Sequence, residues 1–173
     1  IDLCIFSSGI YERKLEKEIN IDSIKRTMEV NYLGTVSSVK AVENYFKNKK
    51  NGHIAIVSSP VGYRGLPKST GYTPSKAALN NFTQGIYFDL KKFNVRVTLI
   101  SPGFIKTPLT DKNEFPMPFL KSPDYAAEKI YKGLVKGNKF EIIFPFPIAI
   151  MYRIFRILPN RIYNFLIGKF VNR

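Results

Sequence analysis

Short apolar runs alternate along this chain with long segments of helical period, and the first three runs end in serine, glycine or proline. Leu3 to Phe6 is closed by Ser7-Ser8-Gly9, His53 to Val57 by Ser58-Ser59, and Val95 to Ile100 by Ser101-Pro102-Gly103. Runs of this length bounded by turn residues read as strands buried on both faces. Between the first two, Ile24, Met28, Val30, Leu33, Val36, Val39, Val42 and Phe46 recur at mostly helical spacing. They predict a long helix capped by Asp22 or Ser23. Tyr72 to Phe93 predicts a second long helix, with Pro74 in its first turn, where a missing N–H does no harm. Ser122-Pro123-Asp124 opens a third, ended by Gly137, and Phe140 to Phe144 reads as a fourth strand. Strands alternating with helices predict an α/β fold, a parallel sheet with helices on both faces. Ligands of such sheets bind beyond the carboxyl ends of the strands. The three polar strand ends are therefore expected to converge on one crevice.

The chemistry carried to that crevice is specific. Ser59 lies thirteen residues before Tyr72, and Lys76 lies four after it. Residues i and i+4 share a helix face, so the phenol and the ammonium can meet. A nearby cation favours the phenolate, which makes a tyrosine of ordinary pKa about 10 usable as an acid or base near neutral pH. A serine hydroxyl beside it can grip a carbonyl or alcohol oxygen. Tyr45/Lys49, Tyr87/Lys91 and Tyr125/Lys129 repeat the tyrosine–lysine spacing, but only Tyr72 has the upstream serine and follows a strand and a glycine-rich loop. Ser58 is the alternative to Ser59 as the working hydroxyl.

With these residues in view, the chain resembles the short-chain dehydrogenase/reductase family from Ile1 to roughly Lys136. Ser7-Ser8-Gly9 stands where the family has Asn-Ala-Gly, and Asn31-Tyr-Leu-Gly34 looks like its Asn-x-x-Gly. Ser59, Tyr72 and Lys76 match the catalytic set, and Pro102-Gly103-Phe-Ile-Lys-Thr107 matches Pro-Gly-x-x-x-Thr. The resemblance implies a Rossmann-type sheet and an NAD- or NADP-dependent oxidoreductase acting on an alcohol or carbonyl. It implies that Tyr72 is the general acid or base and that Lys76 lowers its pKa and holds the nicotinamide ribose. Ser59 would orient the substrate oxygen, and Asn31 would support a water-mediated proton relay. Pro102, Gly103, Ile105 and Thr107 would flank the nicotinamide carboxamide, and Gly9 would let the backbone approach the adenosine side. From the residues alone, Asn31 also reads as a surface residue, Pro102-Gly103 and Gly9 as plain turns, and Thr107, before Pro108, as an extended residue. The family's glycine-rich phosphate loop is not in this sequence, and the first three strands and their helices are expected upstream of Ile1. A catalytic part is thus expected over 1–138, followed over 139–173 by a last strand and basic amphipathic helices.

One cysteine, Cys4, expected as a buried thiol, cannot form an internal disulfide, so a reducing, cytoplasmic compartment is expected. With a single cysteine and a single histidine, His53, no metal is expected. The formal net charge of +14 comes from basic residues spread along most of the chain, without a nucleic-acid motif, so no nucleic-acid partner is expected. Residues 104–121 read as a lid or substrate loop. From Lys139 to Arg173 there are six basic residues and one acidic, among Phe, Ile, Leu and Tyr. Such helices suit a membrane surface, packing on the enzyme itself, or a homodimer or tetramer partner, and in each case an apolar substrate. The alternative function is a non-catalytic relative, an inactive fragment acting as a membrane-peripheral or scaffold protein. The Ser59, Tyr72, Lys76 set argues against it, since a scaffold needs no tuned phenol.

Overall fold

The computed structural model describes residues 1–12, 19–111, 113 and 116–171, the side chains of 170 and 171 excepted. Residues 13–18 lie outside these residues, as do parts of the 104–121 segment expected as a lid or substrate loop. Four strands, β1 (Leu3–Phe6), β2 (Gly52–Val57), β3 (Val95–Pro102) and β4 (Glu141–Phe144), form one parallel sheet in chain order. The register pairs Cys4 with Ile54, Ile54 with Val97, and Ile100 with Ile142. Helices α1 (Ile21–Met28), α2 (Gly34–Lys49) and α3 (Tyr72–Lys91) precede β3, and α4 (Pro123–Val135), α5 (Phe146–Ile157) and α6 (Asn160–Val171) follow it. This is the parallel α/β arrangement expected from the alternation of runs, and the Rossmann-type sheet that the resemblance implied.

The central strands β2 and β3 bury apolar side chains on both faces because each of their faces meets a helix layer. Ile54, Ile56, Val95 and Val97 pack with Val39, Phe46, Leu79 and Leu90 from α2 and α3. On the opposite face Ala55, Ile100 and Phe144 pack with Ala126 and Leu134 of α4. Leu3 and Ile5, on that second face of β1, remain exposed. Cys4 is half-buried, at the margin of the first cluster, rather than the fully buried thiol expected.

The first long helix departs most from expectation. Its cap is Asn20, not Asp22 or Ser23: the Asn20 side chain accepts from the Ser23 N–H at 2.9 Å. Asn20 is one residue ahead of a helix whose first turn contains two other capping residue types, so composition alone could not choose. The helix also does not run unbroken. Residues Glu29–Leu33 form a π turn, closed by the Gly34 N–H on the Glu29 carbonyl. Around it the buried positions are Ser23, Thr27, Asn31 and Thr35, four apart, while Leu33 is exposed. The apolar spacing therefore marked the flanks of this face, and a polar stripe forms its centre. A wider turn advances residues by close to four per revolution, which keeps that stripe in register.

His53, inside β2, is buried. Its Nδ1 is 3.1 Å from an Arg96 guanidinium nitrogen, which can only donate, so Nε2 carries the proton and donates to Thr98 Oγ1 at 2.8 Å. Burial, helped by the Arg96 charge, pulls its pKa down to about 4. A depressed histidine contributes stability above its unfolded pKa near 6.5 and loses it as pH falls through the folded value. Relative to a His53→Gln variant, the wild-type chain is expected to lose on the order of 1–2 kcal/mol between pH 6.5 and 4. Urea titrations across that range read it directly, and parallel curves for the two proteins refute it.

Candidate active site

All four carboxyl ends of the strands open on one edge of the sheet, and most of the residues singled out by sequence lie there. Tyr72 opens α3 and Lys76 follows one turn later, with its ammonium 5.6 Å from the Tyr72 ring centre. Lys76 is 4 % exposed. It donates to the Val57 carbonyl at 3.2 Å, and among the described residues no carboxylate pairs with it. Desolvation alone pulls its pKa down to about 8. The α3 segment is held to the end of β2 by a second contact, Ser58 Oγ donating to the Lys76 carbonyl at 3.1 Å. That contact separates the two serines. The Ser58 hydroxyl proton is committed to the helix. Among the described residues Ser59 Oγ only accepts, from the Val61 N–H at 3.4 Å, which leaves its own proton for another oxygen.

The turn carrying Ser59 is seated by close packing. Residues Pro60–Tyr63 form a 3₁₀ turn, and Gly62 lies so near α3 that a Cβ there would stand 2.7 Å from the Lys76 carbonyl and from Asn80 Nδ2. Only glycine allows this approach. The far end of the turn is tied to the sheet by Tyr63, whose hydroxyl donates to Glu141, which also accepts from Ser101 Oγ at 3.2 Å. Burial raises the Glu141 carboxyl above its usual range, against the opposing charges of Arg153 and Arg156.

Asn31 is fully buried, not a surface residue. The π turn aims it at the segment after β1, where its Oδ1 accepts from the Ile10 N–H at 2.7 Å. Its Nδ2 donates to the Ile10 carbonyl and to Ser75 Oγ, both at 3.0 Å. Gly9 is held beside them: a Cβ on it would lie 3.5 Å from Asn31 Oδ1 and 3.6 Å from Lys76 Nζ. Gly9, Asn31, Tyr72 and Lys76 thus form one connected group, with Ser59 joined to it through the β2 end. Pro102 closes β3 opposite Phe144, and the Gly103 N–H donates to the Phe144 carbonyl at 2.8 Å. The space over Gly103 is filled by Pro145 and Ile148 at 3.1–3.3 Å. Ile105 bridges to Lys121, and Thr107 bonds within its own turn to Thr110. These two belong to a neighbouring local network.

Three residues escaped the sequence reading. Ser75 completes the Asn31 contacts. Tyr11 lays its ring 4.9 Å from that of Tyr72, tilted by 43°. Tyr152 of α5 is buried near Tyr72, and burial, reinforced by the Tyr163 and Tyr72 phenols, pushes it well above the usual phenol range. It is a neutral hydroxyl in the electrostatic reach of Tyr72. The pattern Tyr72-x-x-Ser75-Lys76 was a signal for the first; nothing local marked the other two. A buried ammonium with spare N–H groups beside an unblocked glycine suits the hydroxyls of a bound sugar. Among the described residues no cluster of three or more His, Cys, Asp or Glu could hold a metal ion.

The sequence matches the family profile described as short chain dehydrogenase over residues 1–116. An uncharacterized oxidoreductase of Myxococcus xanthus is 35 % identical over 95 % of this chain and 64 % of its own length. A 3-dehydrosphinganine reductase of Danio rerio is 32 % identical over 80 % of this chain and 45 % of its own length. The chain therefore spans less than two thirds of either relative. A solved short chain dehydrogenase from Burkholderia cenocepacia, in complex with NADP, superposes with a TM-score of 0.79 at 25 % identity, covering 88 % of this chain and 65 % of that one.

Lys76 carries the electrostatic cost of this site. Its folded pKa is below its unfolded value near 10.5, so the cost is complete below pH 8 and is relieved as pH rises from 8 towards 10.5. Relative to Lys76→Met, wild-type stability is expected to climb by up to about 3 kcal/mol across that interval. Denaturant unfolding at pH 7.5 and 10 measures it; a flat difference would contradict a desolvated ammonium.

Proposed function

Because this chain belongs to the short-chain dehydrogenase family, we propose that it forms the catalytic part of an oxidoreductase that moves hydride between NAD or NADP and an apolar carbonyl or alcohol. The observation that carries the reading is the buried Lys76 ammonium one turn from Tyr72, with no carboxylate beside it among the described residues. A buried cation lacking an ion-pair partner is costly to a fold and useful next to a phenol that must ionise. A scaffold has no need of that cost, which disfavours the non-catalytic alternative.

The donor set near Gly9 fits the ribose of the cofactor, whose nicotinamide would supply or accept the hydride when bound. In the reducing direction Tyr72 Oη gives its proton to the substrate oxygen as the carbonyl carbon gains hydride, and it takes that proton back in oxidation. Lys76 favours the phenolate left behind and has N–H groups for the ribose hydroxyls. The Ser59 hydroxyl donates to the same substrate oxygen and fixes its distance from Tyr72. Asn31 has its side chain committed to Ile10 and Ser75, so its part in a water relay rests on holding the Gly9–Ile10 backbone. Pro102, Gly103, Ile105 and Thr107 would flank the carboxamide of a bound nicotinamide. Residues 1–138 supply this machinery, and 139–173 the last strand and the helices that cover it.

An apolar substrate is supported by the name of one relative. The Danio rerio relative, by its name, reduces a 3-dehydrosphinganine, which is consistent with a carbonyl on an apolar body. A homodimer or tetramer and a membrane surface are proposed partners besides the small-molecule substrate.

Tyr72→Phe keeps the ring and removes the proton carrier. In the active protein it is expected to lower kcat by about 10²- to 10⁴-fold with apolar ketones, while dinucleotide binding, read by quenching or enhancement of NADPH fluorescence, is unchanged. Turnover at the wild-type level in that variant rejects the assignment.

A further inference from the structure

The two last helices carry outward faces that no described residue covers. On α5 the inner positions Ile148, Ala149 and Tyr152 are buried, while Phe146, Ile150, Ile154 and Ile157 point outward at i, i+4, i+8 and i+11. Phe146 is 73 % and Ile157 80 % exposed. On α6 the buried residue is Tyr163, and Ile162, Phe165 and Leu166 are exposed, Phe165 at 61 %. These spacings are single helical stripes, so the exposure is patterned rather than scattered.

The charge around the stripes is of one sign. Arg153, Arg156, Arg161 and Lys169 are exposed on the same two helices, and the sequence has no acidic residue after Glu141. The Lys169 ammonium lies 4.6 Å from the Phe165 ring centre, so cation and apolar surface are interleaved. Neither helix is long and apolar enough to cross a membrane.

Their inner faces are fastened to the catalytic half. An Arg64 guanidinium nitrogen donates to the Leu158 carbonyl at 2.9 Å and the Tyr163 hydroxyl to the Gly65 carbonyl at 2.7 Å. The Arg64 guanidinium covers the Tyr163 ring at 4.5 Å, and the Phe155 and Tyr163 rings meet at 5.5 Å. The outward stripes are therefore set by the fold and need no rearrangement to meet a surface.

We propose that the outer faces of α5 and α6 form a docking surface for an anionic lipid bilayer, lying in its interface without spanning it. A basic, apolar helix pair of this kind combines burial of apolar side chains at the acyl boundary with attraction to acidic headgroups. A second copy of the chain is the poorer occupant. A two-fold contact sets the same patch against itself, which brings Arg161 and Lys169 of each copy towards their equivalents, with no acidic residue on either helix to lie between them. A nucleic acid would leave the isoleucine and phenylalanine stripes without a partner. The inference stands apart from the redox reading, since it rests on surface residues outside the proposed catalytic group.

Co-sedimentation with vesicles tests it. The purified protein is expected to bind phosphatidylcholine vesicles containing about 30 % phosphatidylglycerol at least tenfold more tightly than phosphatidylcholine alone, and to weaken severalfold as NaCl rises from 50 to 500 mM. Ile157→Asp/Phe165→Asp should abolish binding to both, and Arg161→Glu/Lys169→Glu should erase the preference for anionic vesicles. Both pairs are exposed, so circular dichroism and melting temperature should match wild type. Failure to sediment with anionic vesicles, equal binding to neutral ones, or binding unaffected by Ile157→Asp/Phe165→Asp each overturns the proposal. So does a wild-type dimer that this variant converts to monomer without any vesicle binding, which would assign the face to a second copy.

Discussion

A buried ammonium that, among the described residues, has one backbone carbonyl for a hydrogen-bond partner is the constraint around which this molecule is arranged. Taking Lys76 out of water opposes folding, and the sheet offsets it by placing the Val57 carbonyl at the end of β2 and the electron-rich face of Tyr72 within range. The helix carrying both residues must then be docked with little freedom. Ser58 does so from the strand side through the Lys76 carbonyl, and Gly62 does so from the loop side by approaching closer than any other residue could. The same two contacts fix where Ser59 ends up. Charge burial, strand end and serine turn form one unit, and loosening any of them frees the others.

The second fixed point is Asn31. A π turn, one residue wider than an α-turn, rotates it inward and lets its single amide satisfy both backbone groups of Ile10 and the Ser75 hydroxyl. The segment after β1 is thereby held against α3. Gly9, with no side chain to intrude, then lies next to the Lys76 ammonium. Short polar residues at Ser23, Thr27 and Thr35 continue the same inner face. A helix that would ordinarily bury Leu or Val here buries hydroxyls, and the apolar residues flank the seam. The C-terminal helices press on the arrangement from the other side. Ile148 and Pro145 fill the space over Gly103, and Tyr152 brings a neutral phenol near Tyr72.

Much of this was legible before any coordinates. The four strands were visible because buried parallel strands are short, apolar and closed by turn residues. The helices after them were visible because amphipathic period and caps such as Ser122 are local properties. The Tyr72–Lys76 pairing was legible too, since four residues on a helix bring side chains together whatever surrounds them. The Asn20 cap was not, because Asn20, Asp22 and Ser23 all have capping chemistry and only the backbone path chooses among them. Nor was the π turn, which differs from an α-helix by one hydrogen-bond register and leaves no period change strong enough to see.

The sequence by itself determined the order of elements, the crevice at the strand ends and the spacing of a serine, a tyrosine and a lysine able to do acid–base chemistry. Those depend on interactions between residues close in the chain. Tertiary structure decided which serine keeps a free proton and which is tied to α3. It also decided that Lys76 is desolvated rather than solvated, that Asn31 faces inward, and that Tyr11 and Tyr152 attend Tyr72. Each of these is settled by what packs against a side chain from a distant segment, and the free energy of a charge or a hydroxyl depends on that surrounding far more than on its neighbours in sequence.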